Sequence, residues 1–298
     1  MKKQAFLCVV AACVCWGTAG LFVNWMAPFG FSSVQMTAMR VTVSFVCMLL
    51  FVLFKDRSLL KTTLTDLALF AVIGVGLFGT AMFYYMSMQA TSVSTAVVLM
   101  YTAPAYITVV SALFFGERFS KLKLISVGCM LIGCCLVSGI IGGFRSDTIG
   151  ILMGVLSGLS YAAYNIVTKI ALRRGNSPFT TTLYGFFFAT ILAWCICQPR
   201  DMISHIAASP SATIPLAVAQ GLVTCFIPYI LYTIGMRTLP AGTASSLAIL
   251  EPMAATIFSI VLLGEQPSIL AVGGIVLILS AVFLLGRAED RIENIQQQ

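Results

Sequence analysis

The sequence predicts an all-α, polytopic membrane protein whose ten transmembrane helices form two inverted five-helix repeats. Three observations predict it. Hydrophobic residues make up 59% of the 298 and charged residues only 9%, whereas a soluble domain carries about a quarter of its residues charged. Apolar runs of the length that crosses the hydrocarbon, about 20 residues, recur along the chain. The second half echoes the first at an offset of 148 residues, so that Phe78 meets Phe226.

Only helices satisfy every backbone group in lipid without closing a barrel, so each run is read as a helix. The first, 5–23, follows Lys2 and Lys3. That start resembles a secretory signal, but the run is long and lacks a clear small-residue cleavage site, so it is expected to remain as the first span. After the turn residues Ala27-Pro28-Phe29-Gly30, a second run, 34–54, contains Arg40, and a third, 66–88, carries Tyr84 and Met88. The fourth, 94–115, is interrupted by Pro104, and the fifth, 124–143, presents Gly128 and Gly133. In the sixth, 149–170, Tyr161, Tyr164, Asn165 and Thr168 fall at i, i+3, i+4 and i+7, one helical face. Arg174-Gly175-Asn176-Ser177-Pro178 then leads into a seventh run, 180–198. The eighth, 213–236, repeats the polar aromatic pattern with Tyr229, Tyr232, Thr233 and Met236; the ninth, 241–263, holds Glu251 and Pro252. The tenth, 268–286, begins with Gly273-Gly274 near its start, and the charged residues beyond it read as a solvated extension of the same helix. The expected organisation is a first repeat over 1–144, a second over 145–287 and a cytoplasmic tail over 288–298.

Charge sets the orientation, because short loops rich in lysine and arginine stay cytoplasmic. With the N-terminus inside, Lys55, Arg57, Lys61, Arg118, Lys121, Lys123, Lys169, Arg173, Arg174, Arg237 and both terminal clusters are cytoplasmic, and only Arg145 and Arg200 lie outside. Both termini are therefore expected inside a multi-pass cytoplasmic membrane protein. The net charge of +7 is scattered in short clusters without an aromatic-basic stripe, which argues against nucleic acid as a partner. No phosphate-binding loop, zinc motif or Cys-x-x-Cys occurs, so no cofactor or metal is expected. The ten cysteines all fall in apolar runs, where a thiol is a small hydrophobe, and no disulfide is expected. His205 lies in a polar connector and reads as a solvated loop residue rather than a metal ligand.

The internal repeat is the most informative feature. Tyr84 meets Tyr232, Met88 meets Met236, Thr95-Ala96 meets Thr243-Ala244, Pro104 meets Pro252 and Gly116-Glu117 meets Gly264-Glu265. Five helices is an odd number, so the second copy enters the membrane from the side opposite to the first. Glu117 and Glu265 then end their helices at opposite faces. Such a pair of halves can exchange which side is open by adopting each other's conformation.

Short motifs in order complete the pattern: Cys15-Trp16-Gly17, Arg40, Tyr101-Thr102-Ala103-Pro104 with Gly116-Glu117, and Leu250-Glu251-Pro252 with Gly264-Glu265. On these the chain resembles the EamA-type transporters of the drug/metabolite transporter superfamily, over roughly residues 5–286. Tyr161-Ala162 departs from the tryptophan that the family often has there. The resemblance implies a central cavity lined by helices one, three, four, six, eight and nine, with helices five and ten more peripheral. It also implies a secondary transporter, an exporter of small organic metabolites such as amino acids. The expected cavity residues are Trp16, Tyr84, Tyr101, Tyr161, Tyr164, Asn165, Tyr229, Tyr232 and Glu251.

Each of these also has a plainer reading. Hydroxyls and amides join helices by hydrogen bonds worth about 0.6 kcal/mol each in a bundle, and methionines are mostly packing. Glu251 is the carboxylate placed deep in a span; ionising it there unpaired costs several kcal/mol, so it is expected to be paired, hydrated or protonated. Proton coupling or recognition of a substrate ammonium suits it, beside the alternative of a structural hydrogen bond. Pro104 and Pro252 free a carbonyl one turn earlier and kink their helices, which marks a hinge. Arg40 is expected to snorkel or pair across helices, and Glu117 and Glu265 to act as structural or gating charges. The small faces at Gly128, Gly133, Gly273 and Gly274 leave homodimerisation open. A membrane-embedded enzyme would need clustered His, Asp or Glu in the spans, so no catalytic residue is expected. A non-transporting receptor or assembly protein is disfavoured by the inverted repeat, and a channel by the broken helices.

Overall fold

A computed structural model describes residues 2–91, 93–115, 121–138, 147–264, 266 and 268–296, and within them the chain is helical, with no strand. The helices α1 (Lys2–Gly17) and α2 (Ala19–Met26) run on through a 3-10 turn, Ala27–Phe29. Gly30 ends that turn at φ 79, a left-handed conformation that glycine adopts without strain. Ser32 starts α3 (Ser33–Lys55) with a capping box: its hydroxyl accepts from the Gln35 amide at 3.3 Å, and the Gln35 side chain accepts from the Ser32 amide at 2.9 Å. After the short turn Arg57–Leu60, Thr63 caps α4 (Leu64–Ala90). Within that connector, the Ser58 hydroxyl and amide donate to Asp56 and hold its carboxyl below the usual carboxylate range.

Two helices in line, α5 (Val93–Met100) and α6 (Ala103–Phe115), are followed by α7 (Lys121–Ser138). Asp147 caps α8 (Thr148–Arg173) by accepting from the Gly150 amide at 2.8 Å. Next come α9 (Pro178–Ile196), α10 (Pro199–Ala208) and α11 (Pro210–Gly221). A π-helical turn, Leu222–Phe226, joins α11 to α12 (Ile227–Thr238). The chain closes with α13 (Ala241–Leu247), α14 (Leu250–Leu263) and α15 (Ile269–Gln296).

Seven helical stretches among the described residues are long and apolar enough to cross a membrane: Lys2–Phe29, Ser33–Lys55, Leu64–Ala90, Thr148–Arg173, Pro178–Ile196, Pro210–Thr238 and Ala241–Leu262. Thr95–Ser111 and Ile269–Leu285 are shorter apolar helices, and α7 occupies the place of the fifth expected span. Leu113, Phe114, Val261 and Phe283 are each more than 60% exposed. Apolar surface of that extent is matched to lipid rather than water, and the protein is a multi-span membrane protein.

Antiparallel pairs organise the bundle. Ser87 Oγ donates to the Gly150 carbonyl at 2.8 Å, Ser157 Oγ to the Thr80 carbonyl at 2.9 Å, and Arg174 Nε to Asp66 at 2.8 Å. These run along the whole length of α4 against α8. In the same way Gly235 of α12 lies against Ala5 and Val9 of α1, while Trp16 meets Tyr229 and Tyr232. Phe45–Phe187 and Phe51–Phe179 ring contacts, at 5.5 and 5.3 Å, pair α3 with α9. Gly133 of α7 and Gly274 of α15 face each other within the chain, a Cβ at Gly274 falling 2.7 Å from the Gly133 carbonyl oxygen.

Two expectations change. The connector holding His205 is not an open loop but α10, and His205 Nδ1 donates to the Phe29 carbonyl at 2.6 Å, docking α10 on the Gly30 turn. The first span extends beyond residue 23 to Phe29, because no breaker precedes Pro28. Glu117, Arg118, Gly142-Gly143, Arg145 and Glu265 lie outside the described residues, as does the boundary between residues 144 and 145.

Candidate functional site

A cavity of about 510 Å³ lies among α1, α2, α3, α4, α5, α7, α8, α12 and α14, with Val137 as the residue from α7. One wall is a single face of α4: Leu77, Thr80, Ala81, Tyr84, Tyr85 and Met88, spaced at three and four residues. The rest of the wall includes Trp16, Tyr101, Tyr161 and Tyr229, with Glu251 and Pro252 from the start of α14 and Arg40 from α3. The wall residues lie at mid-helix or toward the end that carries Ala27–Phe29, Asp147 and α10.

Two interrupted helices meet there. Between α5 and α6 the break falls at Tyr101 and Thr102, and between α13 and α14 at Ala248 and Ile249. Each break lies a short way before a proline, Pro104 or Pro252, whose missing N–H cannot continue the ladder. The amides of Glu251 and Ala105 turn back instead to the Ala248 and Thr102 carbonyls, at 2.9 and 3.0 Å. The Tyr101 hydroxyl crosses the gap and donates to the Glu251 carboxylate at 2.7 Å. This supplies the partner that a carboxylate inside a span requires. Gly158 permits the approach of α8 to this region, a Cβ there meeting the Leu99 and Met100 carbonyls at 3.1 and 3.2 Å.

Beneath the cavity sits an aromatic layer. Trp16 packs edge-on to Tyr229, ring centroids 5.1 Å apart, and Tyr164 lies 5.8 Å from Tyr229. The Tyr232 hydroxyl donates to Asn165 Oδ1 at 2.6 Å, Tyr161 donates to Tyr232 at 3.3 Å, and Asn165 Nδ2 returns to the Tyr161 carbonyl at 2.8 Å. Of the residues expected to line a cavity, Trp16, Tyr84, Tyr101, Tyr161, Tyr229 and Glu251 border this one. Tyr164, Asn165 and Tyr232 stand behind them in the buried layer, and Pro104 lies away from the wall.

Arg40, expected to snorkel or pair across helices, is part of this wall. It borders the cavity, and its Nε is buried without a hydrogen-bond partner. Thr80 and Tyr85 also line the wall without having been singled out. The signal for them was the stripe along α4, which extends the Tyr84 and Met88 spacing toward the helix start.

The opposite end is tied shut. Lys169 Nζ donates to the Met236 and Leu239 carbonyls at 2.7 and 2.6 Å, at the end of α12, where a cation also meets the negative pole of the helix. Arg174 pairs with Asp66 at 2.8 Å, and the Tyr184 hydroxyl donates to the Leu60 carbonyl at 2.7 Å. Lys55, Arg57, Lys61, Lys121, Arg173 and Arg237 cluster at this same end.

Comparisons with known proteins point the same way. The family model described as the EamA-like transporter family matches twice, over residues 3–139 and 148–287. A protein of Archaeoglobus fulgidus (strain ATCC 49558), named an uncharacterized transporter, is 29% identical over 281 residues, covering 94% of this chain and 95% of that one. A "Probable terminal-alkyne amino-acid exporter" of Streptantibioticus cattleyicolor is 23% identical over 193 residues, 65% of this chain and 64% of its own. A solved crystal structure aligns over 98% of this chain and 100% of its own with a TM-score of 0.80 at 21% identity, a likeness of fold. With matches to both halves and a cavity among broken helices, the chain belongs to the EamA-like transporter family of membrane transporters.

Proposed function

We propose that this protein is a secondary transporter that exports small organic metabolites such as amino acids across the cytoplasmic membrane by alternating access. The observation that carries the reading is the central cavity of about 510 Å³, bordered from one end of the bundle while the other end is tied by Lys169, Arg174 and Tyr184. A channel would need a continuous passage, whereas a carrier needs a pocket closed on one side at a time. The amino-acid class draws on the name of the Streptantibioticus relative and on the family resemblance.

The proposed frame is ten spans in two inverted repeats, with both termini cytoplasmic. Its support lies in the pairing: α4 lies antiparallel to α8 and α12 antiparallel to α1, which are equivalent contacts when the halves are exchanged. The basic end is read as cytoplasmic, so the cavity faces outward in this state. Trp16, Tyr84, Tyr101, Tyr161, Tyr229 and Glu251 form the substrate pocket, with Tyr164, Asn165 and Tyr232 as its support and Pro104 and Pro252 as hinges. Glu117 and Glu265 are gating charges in this scheme.

The test is efflux from proteoliposomes loaded with a pooled metabolite extract, read by mass spectrometry against protein-free vesicles. At least one solute is expected to leave, and Glu251→Gln to slow it at least about tenfold with an unchanged size-exclusion profile. If no solute leaves, the carrier reading falls. In a cysteine-depleted background, position 201 is expected to react with an impermeant maleimide from outside and position 61 only from inside; the reverse would overturn the orientation.

A further inference from the structure

Resting on the carrier reading above, the geometry points to a further binding residue: we propose that Arg40 anchors the carboxylate of a zwitterionic substrate whose ammonium is held by Glu251 and Tyr101. Three observations carry it. First, Arg40 and Glu251 are the charged residues among the described ones that border the cavity, one of each sign. Second, they do not satisfy each other: no ion pair closer than 4.0 Å joins them, although Arg174–Asp66 at 2.8 Å shows that such pairs form elsewhere. Third, Arg40 Nε is buried without a partner, while Glu251 has one hydrogen bond, from Tyr101 at 2.7 Å, and a carboxylate has about four acceptor sites.

A guanidinium inside a span is expensive to leave unpaired, and its planar fork of donors matches a carboxylate through two parallel hydrogen bonds. With Glu251 ionised, the pocket holds two incompletely satisfied charges, more than 4.0 Å apart, whose sum is zero. A zwitterion leaves that sum at zero and fills both. An amine lacking its carboxylate brings an uncompensated positive charge and leaves Arg40 unpaired; an acid lacking its ammonium does the converse at Glu251. Because a bound solute displaces the water of the cavity, each mismatch carries a desolvation penalty without a matching attraction. Discrimination thus comes from requiring both charges together. The aromatic wall of Trp16, Tyr84, Tyr101 and Tyr229 receives the rest of the molecule.

Thermal stabilisation of the purified full-length protein tests this, using the twenty L-amino acids and, for each one that binds, its decarboxylated amine and its deaminated acid. Wild type is expected to bind the zwitterion at least tenfold more tightly than either analogue. Arg40→Gln is expected to erase the preference over the amine, and Arg40→Lys to restore part of it. A merely structural Arg40 would instead weaken all ligands alike and leave the ratios untouched, which would overturn the assignment. Should Arg40→Gln not fold, the wild-type ratios and Arg40→Lys decide alone: equal binding of zwitterion and amine by wild type, or a ratio in Arg40→Lys equal to the wild-type one, overturns the anchor. If the proteoliposome efflux above shows transport of uncharged or singly charged solutes and no zwitterion, the anchor fails while the carrier stands. If nothing is transported, the carrier itself fails.

Discussion

The bond between Tyr101 and Glu251 shows how much single residues decide here. A carboxylate in a span stays only where it is neutral, hydrated or hydrogen-bonded, and Tyr101 brings a donor across from the other half of the chain at 2.7 Å. That Glu251 needs such a partner was legible in the sequence, since nothing else acidic lies as deep; which residue supplies it was not, because Tyr101 sits 150 positions away. The surroundings of Arg40 were not legible for a related reason. Distance along the chain gives its depth, but whether a long side chain snorkels or turns inward depends on neighbours that arrive from other helices. Gly158 offers a test at this scale. A Cβ there would already press on two carbonyl oxygens at 3.1 and 3.2 Å, so Gly158→Val is expected to destabilise the detergent-solubilised protein by about 1–3 kcal/mol. Gly128→Val, with open space around it, is the matched control and is expected to leave the melting temperature unchanged.

Among the elements, helix breaks were partly foreseeable. Proline names its own site, and the interruptions at Tyr101–Thr102 and Ala248–Ile249 fall where the missing N–H groups of Pro104 and Pro252 require. The π turn at Leu222–Phe226 has no comparable signature, although Pro228, two residues on, removes the N–H that would have met the Thr224 carbonyl. The helical nature of α10 was hidden by its polar composition; its amphipathic face becomes meaningful only once His205 is docked at the Phe29 carbonyl. If the breaks are hinges, mending them should separate stability from turnover. Pro252→Ala is expected to hold or raise the melting temperature, since alanine restores the N–H that can reach the Ala248 carbonyl and continue the helix across the break. The same variant is expected to slow efflux about tenfold or more in the proteoliposome assay. Equal transport by wild type and variant would show that the break is architecture alone.

Taken whole, the molecule is a bundle whose outer surface is solvated by lipid and whose inward-placed charged side chains, among the described residues, lie in two places: Arg40 and Glu251 at the cavity, and Asp66, Lys123 and Lys169 at the basic end. That division was readable from composition and from the repeat, because lipid leaves a chain few ways to satisfy its backbone. The state of closure was not readable, since alternative packings of one sequence share the same pattern of apolar residues. The closure is also unequal. Shifted by the repeat offset, Lys169, Arg174 and Tyr184 at the tied end correspond to Leu21, Met26 and Met36, which carry no charge and no hydroxyl. Lys169→Met combined with Arg174→Gln is therefore expected to favour opening of the basic end. A cysteine at Thr182, buried near that end, should then label about five- to thirty-fold more readily if the ties contribute 1–2 kcal/mol. Under the proposed mechanism and orientation, the imbalance bears on energetics: with a clasp on one lip and grease on the other, the vacant carrier would idle gaping toward the exterior. An exporter so built would do its uphill work on the unladen return stroke, and whatever fuels it would act on the empty protein.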